Sequence, residues 1–111
     1  MEIKEQPPEI NYFEKFKILA YGSLMKIPMS MVTPITVDDY KDPESDDPLD
    51  VFYSDKNNTI FIDDGNHRYF KKKREISQDQ KNYEDPDLSK EIIVIRKIDP
   101  KEAINSWVLD Y

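Results

Sequence analysis

The string Asp63-Asp64-Gly65-Asn66-His67-Arg68-Tyr69 brings together the only histidine of the chain, one of its two glycines and an arginine. If the string is a strand-to-helix turn, Gly65, Asn66, His67 and Arg68 form an anion pocket suited to phosphate. Its attraction would come from the free N–H groups of the helix start, the positive end of the helix dipole, the Arg68 cation and the donor-capable His67. Gly65 would let the backbone approach the ligand closely. Asp63 and Asp64 stand beside that pocket and could hold Mg²⁺ against phosphate oxygens, serve with His67 in acid–base catalysis, or simply cap the helix. A lone histidine near a turn is more often structural than catalytic, so the bland reading stands beside the chemical one.

The flanking sequence says which elements would position these groups. Leu49 to Tyr53 and Thr59 to Ile62 are β-rich runs separated by the turn chemistry of Asp55-Lys56-Asn57-Asn58, which predicts a hairpin. Asp63-Asp64-Gly65 closes the second strand, and Asn66 to about Ile76 is free of helix breakers, which predicts a helix. Upstream, Tyr12, Phe16, Leu19 and Ala20 recur at helical spacing between Ile10 and Ala20, with Gly22 placed to stop the helix. Leu24 to Val32 suits an edge strand interrupted at Pro28, whereas the β-branched run between Glu91 and Ile98 predicts a central strand. Gln78 to Lys90 is polar, contains Pro86 and predicts a long loop. Asp99-Pro100-Lys101-Glu102 has the signature of a helix start, predicting a last helix through Trp107, with Trp107 and Leu109 packed on the sheet. The fold class expected is α+β, a small mixed sheet with flanking helices. Residues 1–9 are expected to be a flexible arm and residues 10–111 a single domain.

Composition narrows the chemistry. Hydrophobic residues make up 38% and charged residues 35% of the 111, so the core is small, and the 12% aromatic content helps to fill it. The absence of cysteine removes disulfides, thiol nucleophiles and cysteine-held zinc. The net charge of −7 repels phosphodiester backbones and anionic membranes. No apolar run approaches the roughly 18 residues of a membrane span, and no signal-peptide pattern opens the chain, so a cytoplasmic location is expected. Against that acidic background Arg68, Lys71, Lys72, Lys73 and Arg74 form a run of cations without an acid. Lys71 and Lys72 would extend the anion pocket as a basic lip, or the run is a solvated face balanced by the six acidic residues between Asp38 and Asp47. Without interleaved exposed aromatics, specific nucleic-acid readout is not expected.

Three segments in order resemble the ParB/sulfiredoxin superfamily, in particular its ParB-like nuclease-domain members with an Asp-Gly-Asn-His-Arg signature. Leu24 to Ile35, with its Ile27-Pro28 step and Pro34-Ile35 pair, looks like the family's opening strand. Pro48-Leu49-Asp50-Val51 looks like its Pro-Ile-x-Val strand, and Thr59 to Tyr69 like its strand, glycine turn and helix. The resemblance implies a nucleotide or phosphate site at the start of the helix near Gly65, with ATP, ADP or CTP as the nucleotide and Mg²⁺ as its companion. In sulfiredoxins the matching turn reads Gly-Gly-Cys-His-Arg and binds ATP phosphates, which gives Gly65, His67 and Arg68 the phosphate contacts. Asn66 stands where the catalytic cysteine would be, so sulfinic acid reduction by that route is excluded. ParB proper carries a Gly-Glu-Arg-Arg turn that binds CTP, and kinases acting on free serine carry Asp-Gly-x-His-Arg.

Two departures carry weight. Thirteen residues separate Pro34 from Pro48, where relatives have a full helix that contributes to the nucleotide, and a counterpart of ParB's helix-turn-helix is not expected. The leading expectation is therefore a domain that binds a nucleotide or another phosphate-bearing ligand and acts as a phosphotransferase or phosphohydrolase. The alternatives are a catalytically silent protein-interaction module of the same fold and a metal-dependent nuclease.

Overall fold

A computed structural model describes residues 11–35 and 47–105. The expected arm over 1–9, nearly all of the acidic segment, and Trp107 and Leu109 lie outside these residues. Five strands form one mixed sheet: β1 (Leu24–Pro28), β2 (Val32–Pro34), β3 (Leu49–Ser54), β4 (Thr59–Asp64) and β5 (Ile92–Lys97), in the order β1-β5-β3-β4-β2. Two helices accompany it, α1 (Tyr12–Ile18) and α2 (Asn66–Gln80). The α+β expectation holds at this level. Among the described residues no helix is long and apolar enough to cross a membrane.

The β3–β4 hairpin is antiparallel, with Phe52 opposite Phe61 and Ser54 opposite Thr59. Its turn is fixed by Asn58, which takes a positive φ of 51° and accepts a 2.6 Å hydrogen bond from the Tyr53 hydroxyl. Alternation sorts the side chains into two layers. Leu49, Val51, Ile60, Ile62 and Ile95 pack on one face with Phe16 of α1 and Tyr69 and Ile76 of α2. Phe52 faces the other way, against Ala103, Phe61, Ile35 and Ile98. Because β3 is central and covered on both faces, its residues alternate in direction yet Leu49, Val51, Phe52 and Ser54 are all buried.

Three expectations are corrected. The strand foreseen from Leu24 to Val32 is two strands on opposite edges of the sheet, because Pro28 lacks an N–H and Met29–Met31 turn as a 3₁₀ segment between them. Helix α2 runs four residues past Ile76 and ends at Lys81, whose φ of 55° closes it, so the loop is shorter than expected. The last helix is a single 3₁₀ turn over Pro100–Glu102: Asp99 caps the N–H of Lys101 at 2.9 Å, but Ala103 is already extended.

Seven residues are too few for α1 to persist alone. Its start is capped by Asn11, which accepts from the Glu14 N–H at 3.0 Å, and Phe16 is fully buried. Its end is held by Lys97 of β5, whose Nζ donates to the carbonyls of Phe16 at 3.0 Å and Lys17 at 2.9 Å. Lys97 lies on the core face with Ile93 and Ile95, only 7% exposed, and burial pushes its pKa below the ordinary 10.5. Folded Lys97 therefore releases its proton at lower pH than the unfolded chain does. Between the folded and unfolded pKa values the unfolded state binds more protons, so this residue's contribution to stability rises with pH. Lys97→Met should cost about 1–3 kcal/mol through two unanswered carbonyls. The deficit relative to wild type should grow as pH rises toward 10.5, as read from urea unfolding at several pH values. A deficit independent of pH over that range would contradict the assignment.

Candidate functional site

Strand directions bring one set of termini together. The ends of β1, β2 and β4 and the beginnings of β3 and β5 lie at the same end of the sheet, since β1 and β3 are antiparallel to β5 and β4 respectively while β2 and β5 are parallel to β4 and β3. Helix α2 starts there, directly after β4. Ligands of open sheets commonly bind beyond strand ends of this kind.

The junction is built by a bulge and a glycine. Asp50 pairs with Asp64 but Val51 pairs with Ile62, which leaves Asp63 as the extra residue on β4. Its carboxylate is buried and turned toward residues 104 and 105: Oδ2 accepts from the Ile104 N–H at 2.9 Å and Oδ1 from the Asn105 N–H at 2.8 Å. The Asn105 side-chain amide also donates to Oδ1 and to the Asp63 carbonyl, both at 3.1 Å. Asp63, a candidate base and metal ligand, thus holds the chain that follows β5. Gly65 then takes φ 110°, and a Cβ there would stand 2.5 Å from the Leu49 side chain and 2.8 Å from Nη2 of Arg68. The close approach expected of a ligand at Gly65 is made instead by these two side chains.

Asn66, expected to touch phosphate, is buried as a backbone bracket. It accepts from the Ile35 N–H at 3.0 Å and donates to the Ile62 carbonyl at 3.3 Å, tying the ends of β2 and β4 to the helix start. His67 is half-buried and lies outside the groove described below. Asp64 is exposed, with Oδ2 4.0 Å from Nη2 of Arg68. Among the described residues no group of three or more His, Asp or Glu side chains is gathered for a metal ion.

What the structure does assemble is a basic groove of about 390 Å³ lined by Arg68, Lys71 and Lys72 of α2, Pro48 and Leu49 at the start of β3, and residues 92–94 of β5. It exists because β3 pairs with β5 only from Leu49 onward, so β5 runs past the end of its neighbour. Lys72 reaches across and donates to the Ile92 carbonyl at 3.0 Å. Arg68 is four-fifths buried, donates from Nη2 to the Pro48 carbonyl at 3.2 Å, and leaves a buried Nε without a partner among the described residues. Glu75 and Asp47 also line the groove, so its charge is predominantly but not wholly positive.

The helix itself adds to this potential. No side chain caps the start of α2 and its first turn contains no acid, while five cations fall within its first nine residues, Arg68 in the first turn itself, against the dipole. Lys71 and Lys72 are expected as a lip extending a pocket of Gly65, Asn66, His67 and Arg68; in the structure they line one groove together with Arg68, and Gly65, Asn66 and His67 are not part of it. The signal for this was available in the spacing, since residues 68, 71, 72 and 75 share one helix face. The other pole, the stretch of β5 that pairs with β1 but runs past the start of β3, depends on strand register and was not readable. No protein-family model, no curated protein and no solved structure matches the chain.

Asp63→Ala should lower stability by about 2–3 kcal/mol, since two backbone N–H groups lose a charged acceptor, whereas Asp64→Ala should stay within about 0.5 kcal/mol. Equal effects in chemical denaturation would refute the division between them. Gly65→Ala should cost about 2–4 kcal/mol from the left-handed backbone and the crowding by Leu49 and Arg68, and a variant as stable as wild type would show that the turn is not strained.

Proposed function

We propose that this chain is a ParB/sulfiredoxin-like domain that binds a phosphate-bearing ligand, of which a nucleotide is the leading class, in the groove between α2 and β5. The observation that carries the reading is the convergence of Arg68, Lys71 and Lys72 on one groove. A guanidinium has five N–H donors, and Arg68 directs one hydrogen bond, to the Pro48 carbonyl, among the described residues. An anion would supply acceptors that the protein does not, and would offset the cations gathered against the helix dipole. Leu49 and residues 92–94 offer an apolar wall for a base or another flat group, and the volume lies within the usual range for small-molecule sites. Mg²⁺ is an expected companion of the phosphates. Of the two aspartates of the signature, Asp64 is exposed and 4.0 Å from Arg68, so a phosphotransfer or hydrolysis step would draw its base from Asp64 or from His67; Asp63 is occupied by the backbone of residues 104 and 105.

The second reading is a silent interaction module. It is favoured by one observation: Asp63 and Asn66, two residues of the signature, spend their hydrogen bonds on the fold.

Thermal melting with ATP, ADP, CTP and GTP in the presence of Mg²⁺ separates the two. A ligand at 100 times its Kd should stabilise the fold by about 2.7 kcal/mol. The double charge reversal Lys71→Glu with Lys72→Glu should abolish the shift while leaving the ligand-free melting curve close to wild type. No shift with any of the four nucleotides would transfer the reading to the interaction module, and a shift that survives the reversal would move the site elsewhere.

A further inference from the structure

The cations of the groove between α2 and β5 are bracketed by carboxylates. Arg68, Lys71 and Lys72 line it together with Asp47 and Glu75, three cations against two carboxylates, which leaves a surplus of one positive charge. At one end Asp47 precedes Pro48, whose carbonyl accepts from Arg68, and Asp64 stands 4.0 Å from Nη2 of the same guanidinium. At the other end Glu75 follows Lys71 on the same helix face, about 6 Å further along the axis. Lys73 and Arg74, the other cations of the run, are not among the residues that line the groove.

We propose that the groove engages a single phosphate group, held between Arg68 and Lys71, so that its ligands are recognised as phosphate monoesters and further phosphates on the same ligand add no affinity. The inference rests on the reading of the groove as a phosphate site and names the ligand class within it. The donors present suit one such group. Lys72 already spends one N–H on the Ile92 carbonyl at 3.0 Å, which tethers its ammonium to the β5 wall. Arg68 directs one hydrogen bond among the described residues and keeps the rest of its fork, including an Nε without a partner there. A guanidinium with an ammonium three residues further along the helix matches the acceptor oxygens of one phosphate. That group carries about 1.5 to 2 negative charges at pH 7, enough to consume the surplus of the groove.

A second phosphate finds no matching cation. Extended along α2 it meets Glu75, and extended past Arg68 it meets Asp47 and Asp64, so in either direction like charges oppose it. The remaining wall, Leu49 with Ile93, has side chains without donors and suits the organic body of the ester.

The test is calorimetric titration of the full chain with adenosine, AMP, ADP and ATP, and in parallel with CMP and CTP. EDTA is present throughout, so that no divalent cation masks the phosphate charges. AMP should bind at least about tenfold more tightly than adenosine, which lacks the phosphate. ADP and ATP should bind no more than about threefold more tightly than AMP, and CTP no more than about threefold more tightly than CMP. Glu75→Gln should raise the affinity for ATP relative to AMP by about threefold or more, because a carboxylate opposing the added phosphates is gone. Affinity that climbs about tenfold with each added phosphate, or an ATP to AMP ratio untouched by Glu75→Gln, would overturn the proposal and leave the phosphate reading standing. Binding of none of the six compounds, or of adenosine as tightly as AMP, would end that reading and the proposal with it.

Discussion

The junction from β4 through Gly65 into α2 is the constraint on which the rest of the molecule depends. The bulge at Asp63 sets two directions at once: it turns that carboxylate toward residues 104 and 105, and it brings Asp64 into line with Asp50 before the chain reverses. Gly65 can then take a backbone conformation that a side chain would block, with Leu49 and Arg68 packed where a Cβ would stand. Asn66 fastens the helix start to both β2 and β4. From this anchor α2 can lie over the sheet with Tyr69 and Ile76 in the core and Arg68, Lys71 and Lys72 toward β5.

The same junction explains why polar residues of the signature separate into two kinds. Asp63 and Asn66 are buried and hydrogen-bonded to backbone groups, whereas Arg68 and the two lysines have donors to offer a ligand. Local electrostatics runs against helix stability here, since cations crowd the positive end of α2 without an acidic first turn. Conflicts of this kind between local preference and fold are found where function imposes them. The proposed site uses the conflict: an anion would relieve it.

Much of the architecture was legible because it is local. The hairpin announced itself through two β-rich runs and a turn of Asp, Lys and two Asn residues, and α2 through a glycine followed by eleven residues free of breakers. The last segment misled because Asp99-Pro100 is a sound helix start whatever follows, and here Ala103 leaves the helical path so that Ile104 and Asn105 can bond to Asp63. That competition is tertiary and leaves no mark in the pattern. Strand pairing was equally hidden: nothing in Leu24 to Pro34 reveals that a 3₁₀ turn sends its two halves to opposite edges. The role of Lys97 was readable in principle, since strict alternation from Ile93 and Ile95 puts position 97 on the core face. A lysine there requires acceptors, and the carbonyls at the end of α1 supply them.

The most direct measurement of the central claim is a ¹H–¹⁵N spectrum of the labelled protein titrated with Mg²⁺–ATP and, in parallel, with CTP. The account predicts saturable shifts confined to Leu49, residues 64–75 and residues 92–94, with the α1 and Lys97 region unmoved. Spectra that do not change at millimolar nucleotide, or that change only away from those three segments, would contradict it.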